Sequence, residues 1–388
     1  MKKFIPFGKP TVGADEIKSI TNVLKSKWIG SGPITELFEK KFKKYKTSKF
    51  ALSLNSCTAA LHLSLIYSNL KKGDEVITTP MTFASTINSI SLTGATPILA
   101  DIDPDTFNIN PVEIEKKITK KTKALLIVHL AGLPCQLNEI QKIAKKNNLN
   151  LIEDCAHAIE SKFKNKHVGN FGESGCFSFY SNKNITTGEG GMLICKNKNF
   201  YEKIRVARLH GLSKDAWRRY MPDSVKESKK FEHYDVSEIG LKYNMIDINA
   251  SMGIIQLKKI EKNWKKRKKM YLLYKKKLRN LPVYFQKFSD KNIRHAYHLF
   301  LMVLDKKKTN KNRDDLIHFL KKHRVGCGVN YRSVTDMSIY RKKYGWNDKT
   351  CKNSKYLGDN TLSLPLYPGL TLKELNYICE TVKKFFKL

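Results

Sequence analysis

The sequence lacks the patterns that mark several large classes of protein. Its 8 cysteines are scattered and no two form a Cys-x-x-Cys pair, so the usual spacing of a zinc or iron–sulfur site is absent. No apolar run is long enough to cross a membrane, and the first residues lack the apolar core of a signal peptide. We therefore expect a cytoplasmic protein without a metal site and without a membrane partner.

Acidic residues are also scarce relative to basic ones. The chain has 35 Asp+Glu against 72 Lys+Arg, which gives a formal net charge of +37. Such an excess attracts nucleic acids, anionic membranes and phosphorylated small molecules alike. The basic residues are spread along the chain, and no nucleic-acid-binding motif accompanies them. We interpret them as solvated lysine faces and do not expect nucleic acid as a partner; a polyanion-binding surface is the alternative.

The pattern of apolar residues predicts an α/β fold. The 388 residues, of which 41% are hydrophobic, suit two domains with a sizeable core. Short apolar runs alternate with amphipathic stretches, which indicates a mostly parallel sheet flanked by helices. The predicted strands span residues 50–54, 75–78, 96–100, 124–129, 149–153, 175–180 and 191–195.

The pattern of apolar and polar residues changes after residue 200. An irregular polar segment, residues 211–230, precedes a long basic helix over about 250–281. Further on we predict a strand over 298–304, a helix over 314–323, a second strand over 326–331 and a closing helix over 372–386. We therefore predict a large domain of residues 1–245, with an N-terminal arm, and a smaller α+β C-terminal domain of residues 246–388.

Ligands of open α/β sheets bind at the carboxyl ends of the strands. After the first predicted strand, Ser56, Cys57 and Thr58 open a helix. Free backbone N–H groups and the helix dipole there favour a phosphate group. Serine and threonine are also ordinary helix caps, so this segment by itself is more typical of a plain helix start.

Polar and aromatic side chains follow two further strands. Phe83 can lie flat on an aromatic ligand or can belong to the core. Asp154 emerges from a very apolar strand, where a carboxylate is costly unless it is paired, for instance with a protonated ring nitrogen. His157 can flank such a ring. The alternatives are a helix N-cap for Asp154 and a buried, hydrogen-bonded histidine for His157.

Lys183 follows another buried strand, inside a turn rich in Ser, Asn, Thr and Gly. A desolvated lysine in such a place can condense with a carbonyl group, whereas most lysines in loops are solvated surface residues. Ser178 points toward the same edge of the sheet and can reach a phosphate. A phosphate cradle, an aromatic plate, a carboxylate and a lysine together are the parts that bind pyridoxal phosphate.

The chain resembles the DegT/DnrJ/StrS sugar aminotransferases, a branch of the fold type I pyridoxal-phosphate enzymes. The resemblance covers nearly the whole chain and is most specific in two segments, EDCAH ending at His157 and KNITTGEGG starting at Lys183. It implies a homodimer with shared active sites and pyridoxal 5′-phosphate as the cofactor. It also assigns the site residues: Lys183 as Schiff-base lysine and proton shuttle, Asp154 on the pyridine nitrogen, Phe83 and His157 beside the ring, and Cys57, Thr58, Ser178 and the partner subunit's Asn244 on the phosphate.

The segments around His210 and Asn244 resemble the subgroup that aminates C4 of UDP-linked 4-keto sugars. The implied reaction moves an amino group from L-glutamate to a nucleotide-diphosphate keto sugar for a surface polysaccharide or glycan. The phosphate turn departs from the family by Cys57 in place of glycine, and Asn330 and Thr335 stand where many members have histidines. A C3 keto sugar, a keto-cyclitol and a non-catalytic regulatory role remain alternatives, whereas Lys183 argues against the related dehydratases, which have histidine there.

Overall fold

The computed structural model describes residues 3–213, 234–289 and 291–387. Most of the predicted irregular segment, from residue 214 on, therefore lies outside the described residues. Among the residues that are described, no helix combines the length and the apolar character that a membrane span requires.

The helices and strands follow one another in the alternating order that the apolar pattern predicts. The strands are β1 (Phe50–Leu54), β2 (Glu75–Thr78), β3 (Thr96–Leu99), β4 (Thr122–Val128), β5 (Asn150–Asp154), β6 (Lys162–Phe163), β7 (Lys166–His167), β8 (Ser174–Ser178), β9 (Gly191–Cys195), β10 (Val283–Phe285), β11 (Ile293–Arg294), β12 (Phe300–Leu304) and β13 (Thr361–Leu364). The helices are α1 (Ala14–Lys25), α2 (Pro33–Lys46), α3 (Cys57–Ile66), α4 (Ala84–Leu92), α5 (Pro111–Lys117), α6 (Leu137–Lys146), α7 (Lys198–Ala207), α8 (Asp247–Leu278), α9 (Arg313–Lys322), α10 (Ser338–Tyr344), α11 (Lys352–Asn360) and α12 (Leu372–Lys387).

A seven-stranded sheet forms the centre of the molecule, in the order β1-β9-β8-β5-β4-β2-β3. Six of these strands run parallel, and β9 alone runs antiparallel to its neighbours β1 and β8. The strands are almost wholly buried because helices cover both faces, which is the usual state of a parallel sheet. All seven strands predicted from the sequence are present within a few residues, and the predicted α/β class is confirmed.

A smaller three-stranded sheet, β10-β12-β13, packs against α9 and α12. Its strands are antiparallel. The predicted strand over residues 326–331 is wrong. Val325 forms an isolated bridge with Ile5, and Gly328 forms one with Ser363, so this segment contacts two different partners and extends no ladder.

Helix α8 is continuous and contributes to two hydrophobic clusters. Its first half places Ala250 and Ile254 in the cluster around the central sheet. Its second half places Tyr271 and Tyr274 in the cluster around the small sheet, which Ile5 near the start of the chain also joins. The proposed division after residue 245 thus falls just before a helix that both clusters share.

Candidate active site

Three parallel strands bring the candidate residues to one edge of the central sheet. β1, β8 and β5 end at Leu54, Ser178 and Asp154, and Asp154 lies opposite Cys176 in the β5–β8 register. Because parallel strands present their carboxyl ends at the same edge, the segments after them face a common space. The predicted cofactor residues Cys57, Ser178, Asp154 and Lys183 follow or end these strands.

The turn between β1 and α3 is built as a helix N-terminus. The Ser56 hydroxyl accepts a hydrogen bond from the Ala59 amide at 3.0 Å and so caps α3. The first amides of a helix have no partner within the helix, so those of Cys57 and Thr58 are available to an anion. Burial, and then Asp154, raise the pKa of the Cys57 thiol well above its ordinary value. The thiol is therefore neutral and does not repel a phosphate.

Asp154 lies at the end of β5 and is buried, with 4% of its surface exposed. One carboxylate oxygen accepts from the Ala156 amide at 3.0 Å, and the other accepts from the Thr86 hydroxyl at 3.1 Å. Burial raises the pKa of Asp154, and these two hydrogen bonds oppose that rise. Since no helix begins at this residue, the helix N-cap alternative is wrong. A buried carboxylate of this kind can hold a protonated ring nitrogen.

Lys183 lies in the turn that connects β8 to β9. Its backbone amide donates to the Tyr180 carbonyl at 2.9 Å, and the Thr187 amide donates to the Phe179 carbonyl at 2.9 Å, so the turn is closed on itself. Burial lowers the pKa of the lysine amine to about 8, while the charge of Asp154 opposes this shift. A larger fraction of the amine is therefore neutral near pH 7 than in an exposed lysine, and only the neutral amine is a nucleophile.

His157 is buried and both of its ring nitrogens have partners. Nδ1 accepts from the Ala131 amide at 3.3 Å, so the proton lies on Nε2, which is 3.0 Å from the Tyr331 hydroxyl. Burial, followed by the charge of Lys183, lowers the pKa of His157 well below its ordinary value. A neutral imidazole fixed by two hydrogen bonds is suited to lie beside a planar ring. The same hydrogen bonds also agree with the alternative of a buried, hydrogen-bonded histidine.

Phe83 is at the edge of the site, and 62% of its surface is exposed. Its ring centroid lies 6.0 Å from that of Tyr331. Phe83 is therefore no core residue, which excludes the alternative considered for it, and one face of its ring is open to an aromatic ligand.

The other two predicted phosphate ligands lie close to the β1–α3 turn. Ser178 ends β8, and its hydroxyl accepts a long hydrogen bond of 3.4 Å from the Tyr180 amide. Asn244 bridges to Leu54 at the end of β1, and its amide nitrogen donates to the Ser31 hydroxyl at 2.5 Å. The Asn244 side-chain oxygen is buried without a hydrogen-bond partner in the described part of the chain. The reach of Asn244 into a partner subunit stays a prediction.

Several residues of this site were not singled out by the sequence analysis. A hydrogen-bonded series beside Lys183 consists of the half-buried Asn184 and the buried Glu160, His298 and Arg267, and Tyr331 contacts His157. Arg267 is one of many basic residues of α8, so the sequence did not distinguish it. The sequence evidence for the others was weak: Asn184 adjoins Lys183, and Glu160 follows the apolar segment after Asp154.

The residues present fit pyridoxal phosphate. Free helix amides suit the phosphate, the buried Asp154 suits a protonated pyridine nitrogen, and Phe83 offers an open aromatic face. Lys183 supplies an amine with a lowered pKa on the same edge. A sheet of this order with these groups at its carboxyl edge defines the class: a fold type I pyridoxal-phosphate enzyme.

Comparison with known proteins identifies the family. Residues 10–383 match the model of the DegT/DnrJ/EryC1/StrS aminotransferase family, and the chain belongs to this family. It is a pyridoxal-phosphate-dependent aminotransferase, as the resemblance implied.

Relatives in sequence and in structure cover almost the whole chain. An uncharacterised protein of Methanocaldococcus jannaschii is 44% identical over 383 residues, covering 99% of this chain and 98% of that protein. The spore coat polysaccharide biosynthesis protein SpsC of Bacillus subtilis is 38% identical over 385 residues, covering 99% and 97%. PseC of Helicobacter pylori, an aminotransferase involved in the biosynthesis of pseudoaminic acid, superimposes with a TM-score of 0.90 at 28% identity, covering 100% of both chains. The PLP form of Spr1654 from Streptococcus pneumoniae also has a TM-score of 0.90, at 28% identity, covering 99% of both chains.

Proposed function

We propose that this enzyme transfers an amino group from L-glutamate to the C4 keto group of a UDP-linked keto sugar. The observation on which the proposal rests is the convergence of Lys183, Asp154 and the Cys57–Thr58 amides at one sheet edge. A sugar substrate is supported by relatives named for spore coat polysaccharide and pseudoaminic acid biosynthesis. The product would then enter a surface polysaccharide or glycan.

When bound, pyridoxal phosphate supplies an aldehyde that condenses with amines and a ring that withdraws electrons from the amine carbon. The protein supplies the rest. Asp154 would keep the ring nitrogen protonated, and the Cys57 and Thr58 amides with the Ser178 hydroxyl would hold the phosphate. The free Lys183 amine would carry the proton between the two carbons on either side of the transferred nitrogen.

The substrate side of the site includes Phe83, Tyr331 and Asn330. The Asn330 side-chain oxygen is buried and has no hydrogen-bond partner among the described residues, which supports a hydrogen bond that the sugar would supply on binding. Thr335, by contrast, is fully buried and its hydroxyl contacts that of Ser333 at 2.8 Å. We therefore assign sugar contact to Asn330, and a structural role to Thr335.

A homodimer with shared sites is part of the proposal. The exposed apolar residues Tyr234, Val236 and Ile239 lie in the segment just before Asn244, and Ile239 is fully exposed in the single chain. Burying such residues against a second subunit is favourable. Asn244 would then lie at the subunit boundary, close to a phosphate site.

The decisive experiment is a panel of UDP- and dTDP-linked 4-keto and 3-keto sugars, with a keto-cyclitol, incubated with the enzyme and L-glutamate. Mass spectrometry detects the amino sugar, and NMR of the product identifies the aminated carbon. We expect amination at C4 and a preference for UDP over dTDP. Amination at C3, or of a keto-cyclitol included in the panel, would replace the C4 assignment. Loss of amination in Lys183→Ala is the control for cofactor chemistry.

A further inference from the structure

A largely buried series of polar side chains lies beside Lys183. The Arg267 guanidinium pairs with the Glu160 carboxylate, and both side chains are buried. The second Glu160 oxygen accepts from the Asn184 side-chain amide at 2.7 Å. The Asn184 oxygen in turn lies 2.9 Å from Nδ1 of His298. Asn184 is the residue directly after Lys183, so the series ends at the turn that holds the cofactor lysine.

The hydrogen-bond direction along this series is fixed by chemistry. A carboxylate paired with arginine accepts hydrogen bonds and donates none, so the NH₂ group of Asn184 must face Glu160. The Ala296 carbonyl, 3.3 Å from the same nitrogen, imposes the same orientation. The Asn184 oxygen therefore faces His298, and because an amide oxygen only accepts, Nδ1 of His298 must hold a proton.

The ionisation of His298 then determines its other nitrogen. His298 is buried, and desolvation lowers its pKa well below the ordinary value, with further lowering by His157, Lys183 and Arg267. The neutral ring has a single proton, which Nδ1 holds, so Nε2 has a free lone pair. Nε2 has no hydrogen-bond partner in the described part of the chain. The His298 ring also lies 4.5 Å from the His157 ring, centroid to centroid.

His298 and Lys183 line the same small cavity, together with Asn184, Thr186 and Arg267. We propose that Glu160 and Asn184 fix His298 as the Nδ1–H tautomer, so that its Nε2 accepts a hydrogen bond from the Lys183 amine when that amine is released from the cofactor. Glu160 and Asn184 are positioning residues that act through His298. The inference rests on the proposed role of Lys183 and adds the group that orients its free amine for proton transfer.

The tautomer can be measured directly on the full-length protein without cofactor. The chain has 10 histidines, and ¹⁵N/¹³C-labelled histidine gives each ring nitrogen a shift that reports whether it is protonated. The His298 signals are assigned by their loss in His298→Gln. We expect a protonated Nδ1 and an unprotonated Nε2 at neutral pH. A protonated Nε2, or a doubly protonated ring, would overturn the proposal.

Two variants distinguish an effect on the His298 tautomer from a general loss of order in the turn around Lys183. Asn184→Leu removes the acceptor for His298, while Asn249→Leu removes a different side chain that donates to the Thr187 and Glu189 carbonyls of the same turn. We expect only Asn184→Leu to shift the tautomer, and to slow the glutamate half-reaction about 10-fold, the value of one lost hydrogen bond. The donor KM should change little.

Equal slowing in both variants, or an unchanged tautomer in Asn184→Leu, would contradict the inference. If Asn184→Leu does not fold, the His298 tautomer measured in the unmodified protein still tests the proposal. Failure of the proposed function looks different: the wild-type protein would then show no half-reaction with glutamate, whatever the state of His298.

Discussion

Gly191 passes so close to Ser56 that a Cβ atom added to Gly191 would lie 2.3 Å from the Ser56 carbonyl oxygen. Gly191 begins β9, and Ser56 caps the helix whose first amides are proposed to hold the phosphate. The first residue of β9 thus packs directly against the turn between β1 and α3, at a distance that only glycine allows. The position of the turn depends on this contact.

Gly191→Ala is therefore expected to displace the turn. We expect weaker pyridoxal phosphate binding, measured by absorbance titration, and a loss of about 1–3 kcal/mol in the free energy of unfolding, as for an overpacked core. Gly369→Ala is the matched control, since an added Cβ there meets its nearest atom at 3.8 Å. Equal cofactor affinity in both variants would show that the turn tolerates displacement.

The hydrogen bond from Thr86 to Asp154 should support catalysis. Thr86→Val removes this donor at nearly constant volume, so the carboxylate loses a partner and its pKa should rise further. We expect about a 10-fold lower kcat, the scale of one lost hydrogen bond to a charged group. Thr78→Val is the control, because the Thr78 hydroxyl donates to the Leu126 carbonyl across the β2–β4 pair and not to Asp154. A kcat unchanged by Thr86→Val would argue against a role for this contact.

Cofactor capture by the cofactor-free protein should depend on pH through Lys183. The neutral amine reacts, and its fraction rises as pH increases through the pKa of about 8. We therefore expect the capture rate to increase through about pH 8, where half of the amine is neutral, and to level off by about pH 9. A lysine analogue in solution, with an ordinary pKa of about 10.4, corrects for the titration of the cofactor itself. A rate that still rises steeply above pH 9 would indicate an amine with an unshifted pKa.

The buried pair of Arg267 and Glu160 should be important for stability. Removing one partner leaves a buried charge unpaired, so Arg267→Met should lower the free energy of unfolding by about 3–5 kcal/mol. Adding Glu160→Gln in the same chain should recover part of that loss. Lys383→Met, which breaks the exposed pair with Glu380, should cost less than about 1 kcal/mol. Denaturant melts of the four proteins test this order.

The shared-site proposal can be tested by mixing inactive subunits. Lys183→Ala and Asn244→Ala proteins are each expected to have little activity. If Asn244 completes the site of the partner subunit, a mixed dimer has one intact site, and an equal random mixture should recover about a quarter of the wild-type activity. If Asn244 acts within its own chain, each mixed-dimer site still lacks one residue, and mixing recovers nothing.

The sequence by itself determined the central sheet and the residues with the most specific surroundings. Strands β1 to β5, β8 and β9 were predictable because strands that are buried on both faces are short, continuous apolar runs. Asp154 stood out because a carboxylate at the end of such a run is costly unless it is paired, and Lys183 because it follows another buried strand inside a turn rich in Ser, Asn, Thr and Gly. Both conclusions depend on local sequence, over a few residues at a time.

Only the tertiary structure decided which distant residues join them. His298 lies 114 positions from Asn184 and Arg267 lies 107 positions from Glu160, yet the four residues form one hydrogen-bonded series. The segment after Val325 was predicted as a strand from its apolar pattern, but its pairing depends on Ile5 and Ser363, at opposite ends of the chain. Strand pairing and side-chain hydrogen bonds depend on residues that are distant in sequence. An apolar pattern specifies only which face of a segment is buried.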